Sequence, residues 1–206
     1  MEQKRFTGGQ NEIRLEDIPQ YQSSFSRENI KSLSNLEKNR VTILFPDEFY
    51  NATIEMCNAK NESRGVLLVS TDNSSFREGK LMVCAMLNQA EQQGSAFSVF
   101  LDKTKHDAMT NLLNDYKDKI QMIEFHSHTK STGDYWADKF SGQDNQSLAN
   151  AINRHRGYMH VLFTPNNILT FGKGKPQIGV AKINKFDPLE TQAYWQHLFN
   201  EYLKRG

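Results

Sequence analysis

The stretch EFHSHTKSTGDYWADKFSGQD, residues 124–144, joins an apolar run to the start of a helix. QMIEFHSH (121–128) reads as a strand. In a strand, residues i and i+2 point to the same face, about 7 Å apart along the backbone. His126 and His128 therefore project from one face at the strand's end. Downstream, Ser141-Gly-Gln-Asp144 opens a predicted helix whose apolar face is Leu148, Ala151 and Ile152. Ser141 followed by an acidic residue three positions on is also the pattern of a capping box. The segment thus reads strand, H-x-H, loop, S-x-x-D, helix.

Working outward, the same texture repeats. VTILF (41–45) is a β-branched, apolar run, and Pro46, Asp47 and Glu48 then begin a helix to about Lys60. Phe49, Ile54, Met56 and Cys57 give that helix its expected buried face. Val66–Val69 and KLMVCAMLN (80–88) are continuous apolar strands, a pattern expected of strands covered on both faces. SVFLD (98–102) reads as a short strand. Residues 103–119 carry Ala108, Met109, Leu112, Leu113 and Tyr116 at helical spacing. YMHVLFTP (158–165), NILTFGKG (167–174) and QIGVAKINKF (177–186) read as strands, and 187–204 as a closing helix. The expected fold class is α/β, a mixed central β-sheet flanked by helices. Residues 1–40 are polar and turn-rich and read as an N-terminal extension with a weak helix from Ser26. Residues 41–186 form the expected core, and 187–206 a C-terminal helical segment.

Composition narrows the function classes. Lys plus Arg number 25 against 24 Asp plus Glu, a net charge of +1, so no basic footprint for nucleic acid or acidic membrane is expected. No apolar run reaches the roughly 18 residues of a membrane span. The N-terminus lacks a signal-peptide h-region, so a cytoplasmic protein is expected. Cys57 and Cys84 stand in neither a C-x-x-C motif nor a disulfide framework.

The chemistry points to a metal. Two imidazoles and a carboxylate leave a fourth tetrahedral position open, the arrangement of a catalytic rather than a structural zinc site. The third ligand has three candidates. Asp144 is preferred because a helix start fixes its direction; Asp134, in the S-x-x-D beginning at Ser131, and Asp138 are the alternatives. Glu124 shares the strand of the two histidines and is either an outer partner to an imidazole or an exposed residue. His160, alternating with Tyr158 and Leu162, is expected within the sheet rather than on metal. Tyr135, Trp136 and Phe140 either cover the site or form a packed cluster in the loop.

These residues resemble the signature of the JAMM (MPN-plus) zinc metalloprotease family. That signature is a Glu on the strand after the first helix, then H-x-H-P, seven residues, and S-x-x-D. Glu62 in NESRGVLLVS, His126 and His128, and Ser141 and Asp144 occupy the corresponding places. The order of elements from about Val41 to Phe186 is similar too. Two departures stand out: Thr129 replaces the Pro, and eleven residues separate Thr129 from Ser141.

The resemblance implies a cytidine-deaminase-like, MPN-type fold. It also implies one zinc per chain held by His126, His128 and Asp144. Glu62 would be the proton acceptor and Ser141 the oxyanion donor. The implied activity is hydrolysis of an isopeptide or peptide bond at the C-terminus of a ubiquitin-like modifier, alone or within a proteasome-like complex. The alternative is a non-catalytic scaffold subunit of the same fold. An amidohydrolase barrel, which also uses H-x-H, needs eight β/α units, more than 206 residues in this order provide.

Overall fold

The computed structural model describes residues 12–30, 36–37, 39–71, 79–89, 102–130, 138–182 and 186–205. Its centre is an eight-stranded mixed sheet. In chain order the strands are β1 (Gln22–Ser26), β2 (Thr42–Pro46), β3 (Arg64–Ser70), β4 (Lys80–Asn88), β5 (Ile120–Ser127), β6 (Met159–Phe163), β7 (Asn167–Gly172) and β8 (Gln177–Ala181). The helices are α1 (Asp47–Asn58), α2 (Lys103–Tyr116), α3 (Gly142–Arg154) and α4 (Pro188–Leu203), with a 3-10 helix at Leu15–Tyr21. Across the sheet the order is β1-β7-β6-β5-β3-β4-β2-β8. The α/β class with a mixed sheet is therefore the observed one.

Local chemistry explains the elements. Pro46 ends β2 and stands at the N-cap of α1, with Asp47 and Glu48 against the positive end of the helix dipole. Asp102 caps α2 by accepting from Lys105 N at 3.1 Å. Asp187 caps α4 by accepting from Leu189 N at 2.8 Å, with Pro188 in the first turn. The apolar faces of two helices differ from the sequence expectation. In α1, Phe49, Tyr50, Thr53 and Cys57 are buried, whereas Ile54 is 37% exposed. In α3, Ala149 rather than Ala151 joins Leu148 and Ile152 inside. A shift of one helical position moves a side chain about 100° around the axis, enough to exchange core for solvent.

The period-two alternation of the strands sorts the core by face. Leu67, Val69, Ile123, Phe125, Val161 and Phe163 point to the side covered by α1. Val66, Leu68 and Ile120 point the other way, under α2 and α4. On that second side, farther along the sheet, Leu162, Leu169 and Phe171 pack with Leu148 and Ile152 of α3. The second face thus carries two separate apolar clusters.

The expected helix from Ser26 is corrected. Ser26 ends β1, an edge strand antiparallel to β7, and 27–30 form turns; residues 31–35 lie outside the described residues. Polar QSSFS can be a strand because pairing with β7 satisfies its backbone and only one edge is covered. The segment before it is strapped to α3: Asn153 bonds both Ile13 N and Ile13 O at 2.9 Å, and Gln22 Nε2 donates to Asn145 Oδ1 at 2.8 Å. Ile18 is buried in the cluster beneath α3. Reading residues 1–40 as an extension therefore misses that residues 12–26 help to hold α3 in place. The expected strand at 98–102 falls outside the described residues up to Leu101, and Asp102 serves as the α2 cap.

Gly65 marks a point of close approach between β3 and its neighbours β4 and β5. A Cβ there would lie 2.1 Å from Leu87 O and 3.0 Å from Phe125 Cε1. Both neighbours are strand residues that cannot yield cheaply. Gly65→Ala should lower stability by about 3 kcal/mol, at the upper end of ordinary overpacking. Urea denaturation measures this, and an unchanged midpoint would contradict the tight packing.

Candidate metal centre

The centre lies at the end of β5, between the two apolar clusters of the second face. β3 and β5 are antiparallel, with Arg64 opposite His126. The pairing runs on past the strand ends. Ser127 N donates to Ser63 O at 2.8 Å, and Ser63 N donates to the Ser127 hydroxyl oxygen at 2.8 Å. Glu62 stands two residues before Arg64, just ahead of β3. Opposed residues of an antiparallel pair share a face, so Arg64 and His126 project together, and His128, two residues on, follows the same side. From the other side, His128 N donates to Phe163 O of β6 at 2.9 Å. Both histidines are thus held on paired backbone, and both are buried.

Asp144 arrives from the first turn of α3. Its Oδ2 accepts from Ser141 N at 2.8 Å, while its own N donates to the Ser141 hydroxyl oxygen at 3.1 Å. This reciprocal capping box fixes the carboxylate. The fixed carboxylate faces the imidazoles, with Oδ1 at 3.3 Å from His126 Nε2 and Oδ2 at 3.8 Å from His128 Nε2. One donor atom from each of His126, His128 and Asp144 lies within 4.8 Å of the other two. His126 Nε2 is buried and has no hydrogen-bond partner. A buried ring nitrogen left this way is costly unless something else takes it up. Two imidazole nitrogens and one carboxylate oxygen suit zinc, whose bonds to such atoms are about 2.0–2.2 Å.

Glu62, immediately before β3, is 9% exposed. Burial, reinforced by the charge of Asp144, pushes its carboxyl up to about 8. A carboxyl poised in that range can take a proton and return it near neutrality. Ser141 spends its oxygen as acceptor in the capping box, and its hydroxyl hydrogen is a potential donor beside Asp144.

A second layer stands behind His126. Its Nδ1 lies 2.7 Å from Nε2 of His160. The other nitrogen of His160 lies 3.0 Å from the Tyr158 hydroxyl, which donates to Glu124 Oε2 at 3.0 Å. Glu124 Oε2 is 3.6 Å from Arg64. Burial drives the His160 imidazole well below its ordinary value, with His126 and Arg64 acting the same way. Burial likewise raises Tyr158, and Glu124 adds to it. Phe140 closes this region, its ring 6.2 Å from that of His126 and 6.1 Å from that of His160.

Of the two expectations for Glu124, the structure shows the outer partner, reached through Tyr158. His160 sits within the sheet as expected, and its contact with His126 was missed. The alternation of Tyr158 and His160 signals a shared face, but only the parallel pairing of Glu124 with His160 reveals the connection. The alternative ligand Asp138 is turned elsewhere, bonded to Thr164 and Asn166. Asp134, Tyr135 and Trp136 lie outside the described residues.

No protein-family model matches the chain, and no curated protein matches it. Among solved structures, the solution structure of a protein from Desulfitobacterium hafniense is similar. It has a TM-score of 0.48 and 12% identity, over 69% of this chain and 95% of that one. Likeness at this level carries no conclusion about the site.

The raised Glu62 gives a pH signature. A carboxyl whose folded-state value exceeds its unfolded one favours the folded state fully below the unfolded value and loses that contribution as pH rises through the folded one. For Glu62 this window runs from 4.5 to about 8 in metal-free protein. Glu62→Gln, which stays neutral, should raise the Tm of metal-free protein above pH 8 and leave it nearly unchanged near pH 4.5. Calorimetry across this range measures the difference, and an equal effect at both ends would contradict the burial argument.

Proposed function

We propose that this protein is a zinc-dependent metalloprotease of the JAMM kind. Its proposed reaction is hydrolysis of an isopeptide or peptide bond at the C-terminus of a ubiquitin-like modifier. The observation that carries the reading is the meeting of His126, His128 and Asp144, with the buried Nε2 of His126 unpartnered. The mixed sheet, the helix preceding Glu62 and the helix carrying Asp144 are compatible with a cytidine-deaminase-like arrangement. The substrate class rests on the resemblance of the motif; the residues themselves support metal-assisted amide hydrolysis.

His126 and His128 would hold the ion through ring nitrogens and Asp144 through a carboxylate oxygen. When bound, zinc supplies Lewis-acid polarisation of a carbonyl and lowers the pKa of water towards about 7. Glu62 takes the proton of the attacking water and passes it to the departing amine, a role its raised carboxyl suits. The hydroxyl hydrogen of Ser141 would be donated to the oxygen of the tetrahedral intermediate. One such donor is worth about 3 kcal/mol. The only cysteines, Cys57 and Cys84, are buried, and burial raises both thiols. That makes them poor nucleophiles and fits direct attack by water.

Two measurements test the reading. Purified protein loaded with zinc should bind about one ion per chain and cleave some member of a panel of ubiquitin-like proteins bearing C-terminal extensions, with cleavage abolished by a chelator. Glu62→Gln should keep the zinc and lose at least about 100-fold in rate. Asp144→Ala should weaken zinc binding. Stoichiometric zinc with no cleavage of any fusion would favour the scaffold alternative. Full activity of Glu62→Gln would remove Glu62 as the proton acceptor.

A further inference from the structure

The groups behind His126 form a chain whose hydrogen-bond directions can be deduced from one end. The Glu124 carboxylate, beside Arg64, is only an acceptor, so the Tyr158 hydroxyl spends its single hydrogen on it, at 3.0 Å. Tyr158 can then offer His160 Nδ1 only a lone pair, across 3.0 Å. For that contact to be a hydrogen bond, His160 must carry its hydrogen on Nδ1. With its single ring hydrogen on Nδ1, the buried His160 has a bare Nε2. This nitrogen accepts across the 2.7 Å contact, which puts the His126 hydrogen on Nδ1. What remains on His126 is a bare Nε2, the atom that faces Asp144 at 3.3 Å and has no hydrogen-bond partner.

We infer that Glu124 and Tyr158, acting through His160, are positioning residues that fix the tautomer of His126 and so present its Nε2 lone pair to the metal. Reversing any one link would reverse those that follow and place a hydrogen where the ion must bind. The arrangement also fixes the ring itself, since His126 is held by backbone pairing on one side and by His160 at its edge. Three adjacent elements supply the parts. Glu124 comes from β5, His160 from β6 with Tyr158 just ahead of it, and Arg64 from β3; Glu124, His160 and Arg64 lie on the face shared with His126. Outer partners of this kind commonly govern metal affinity.

The inference rests on the metal-site reading above, and its test separates the two. Two-bond nitrogen–proton correlation spectra of zinc-free protein, recorded well above the ordinary imidazole pKa of about 6.5, distinguish the tautomers without metal or activity. In the wild type, His126 and His160 should both carry hydrogen on Nδ1. Tyr158→Phe and Glu124→Ala touch neither ring nitrogen of His126. Each should populate the Nε2–H form of His126 and weaken zinc binding by about 10- to 100-fold in a competition titration. A wild-type His126 with hydrogen on Nε2 would overturn the inference, and this measurement does not depend on how the variants fold. Folded variants with wild-type tautomers and wild-type zinc affinity would overturn it as well. If the tautomers and zinc affinities follow expectation but no fusion is cleaved, the protease reading fails and the positioning chain stands.

Discussion

The reciprocal capping box between Ser141 and Asp144 is the constraint on which the site depends. A helix start leaves backbone N–H groups without partners, and Ser141 and Asp144 satisfy two of them by bonding each other's backbone. Satisfying the helix also aims the Asp144 carboxylate at His126 and His128. The stability of the helix end and the geometry of the site are therefore one set of hydrogen bonds. Asn153 and Gln22 extend the constraint by tying α3 to the first described residues of the chain.

The sheet supplies the other half. Its second face carries two apolar clusters, one beneath α2 and α4 and one beneath α3. Between them, alternate positions of β3, β5 and β6 are polar: Arg64, Glu124, His126 and His160. Of these, His126 and His160 are buried, and burying polar rings is expensive unless each has a partner. The chain from Arg64 through Glu124, Tyr158 and His160 to His126 supplies those partners. It stops at His126 Nε2, which faces the carboxylate of Asp144. Cost and chemistry thus meet at one atom.

Much of the fold was legible in the chain because apolar runs and turn residues alternate clearly. The β5 strand, the Ser141 cap and the terminal helix follow from local pattern alone. β1 was not legible, because QSSFS has no apolar alternation and becomes a strand only by pairing with β7. The helix faces of α1 and α3 were displaced by a position or two for a similar reason: tertiary contact, not periodicity, decides the final rotation. At the site, the metal-ligand candidates could be named from spacing, since H-x-H on a strand and S-x-x-D on a helix constrain direction. The His160–Tyr158–Glu124 chain could not, because it depends on β6 lying parallel beside β5, with Glu124 opposite His160. Sequence spacing is silent on which strands become neighbours.

The most direct test of the central claim is a crystal structure of zinc-loaded protein with anomalous data collected at the zinc edge. The account predicts one strong peak about 2.0–2.2 Å from a ring nitrogen of His126, a ring nitrogen of His128 and a carboxylate oxygen of Asp144. A peak coordinated by other residues, or zinc-soaked crystals with no peak between β5 and α3, would contradict it.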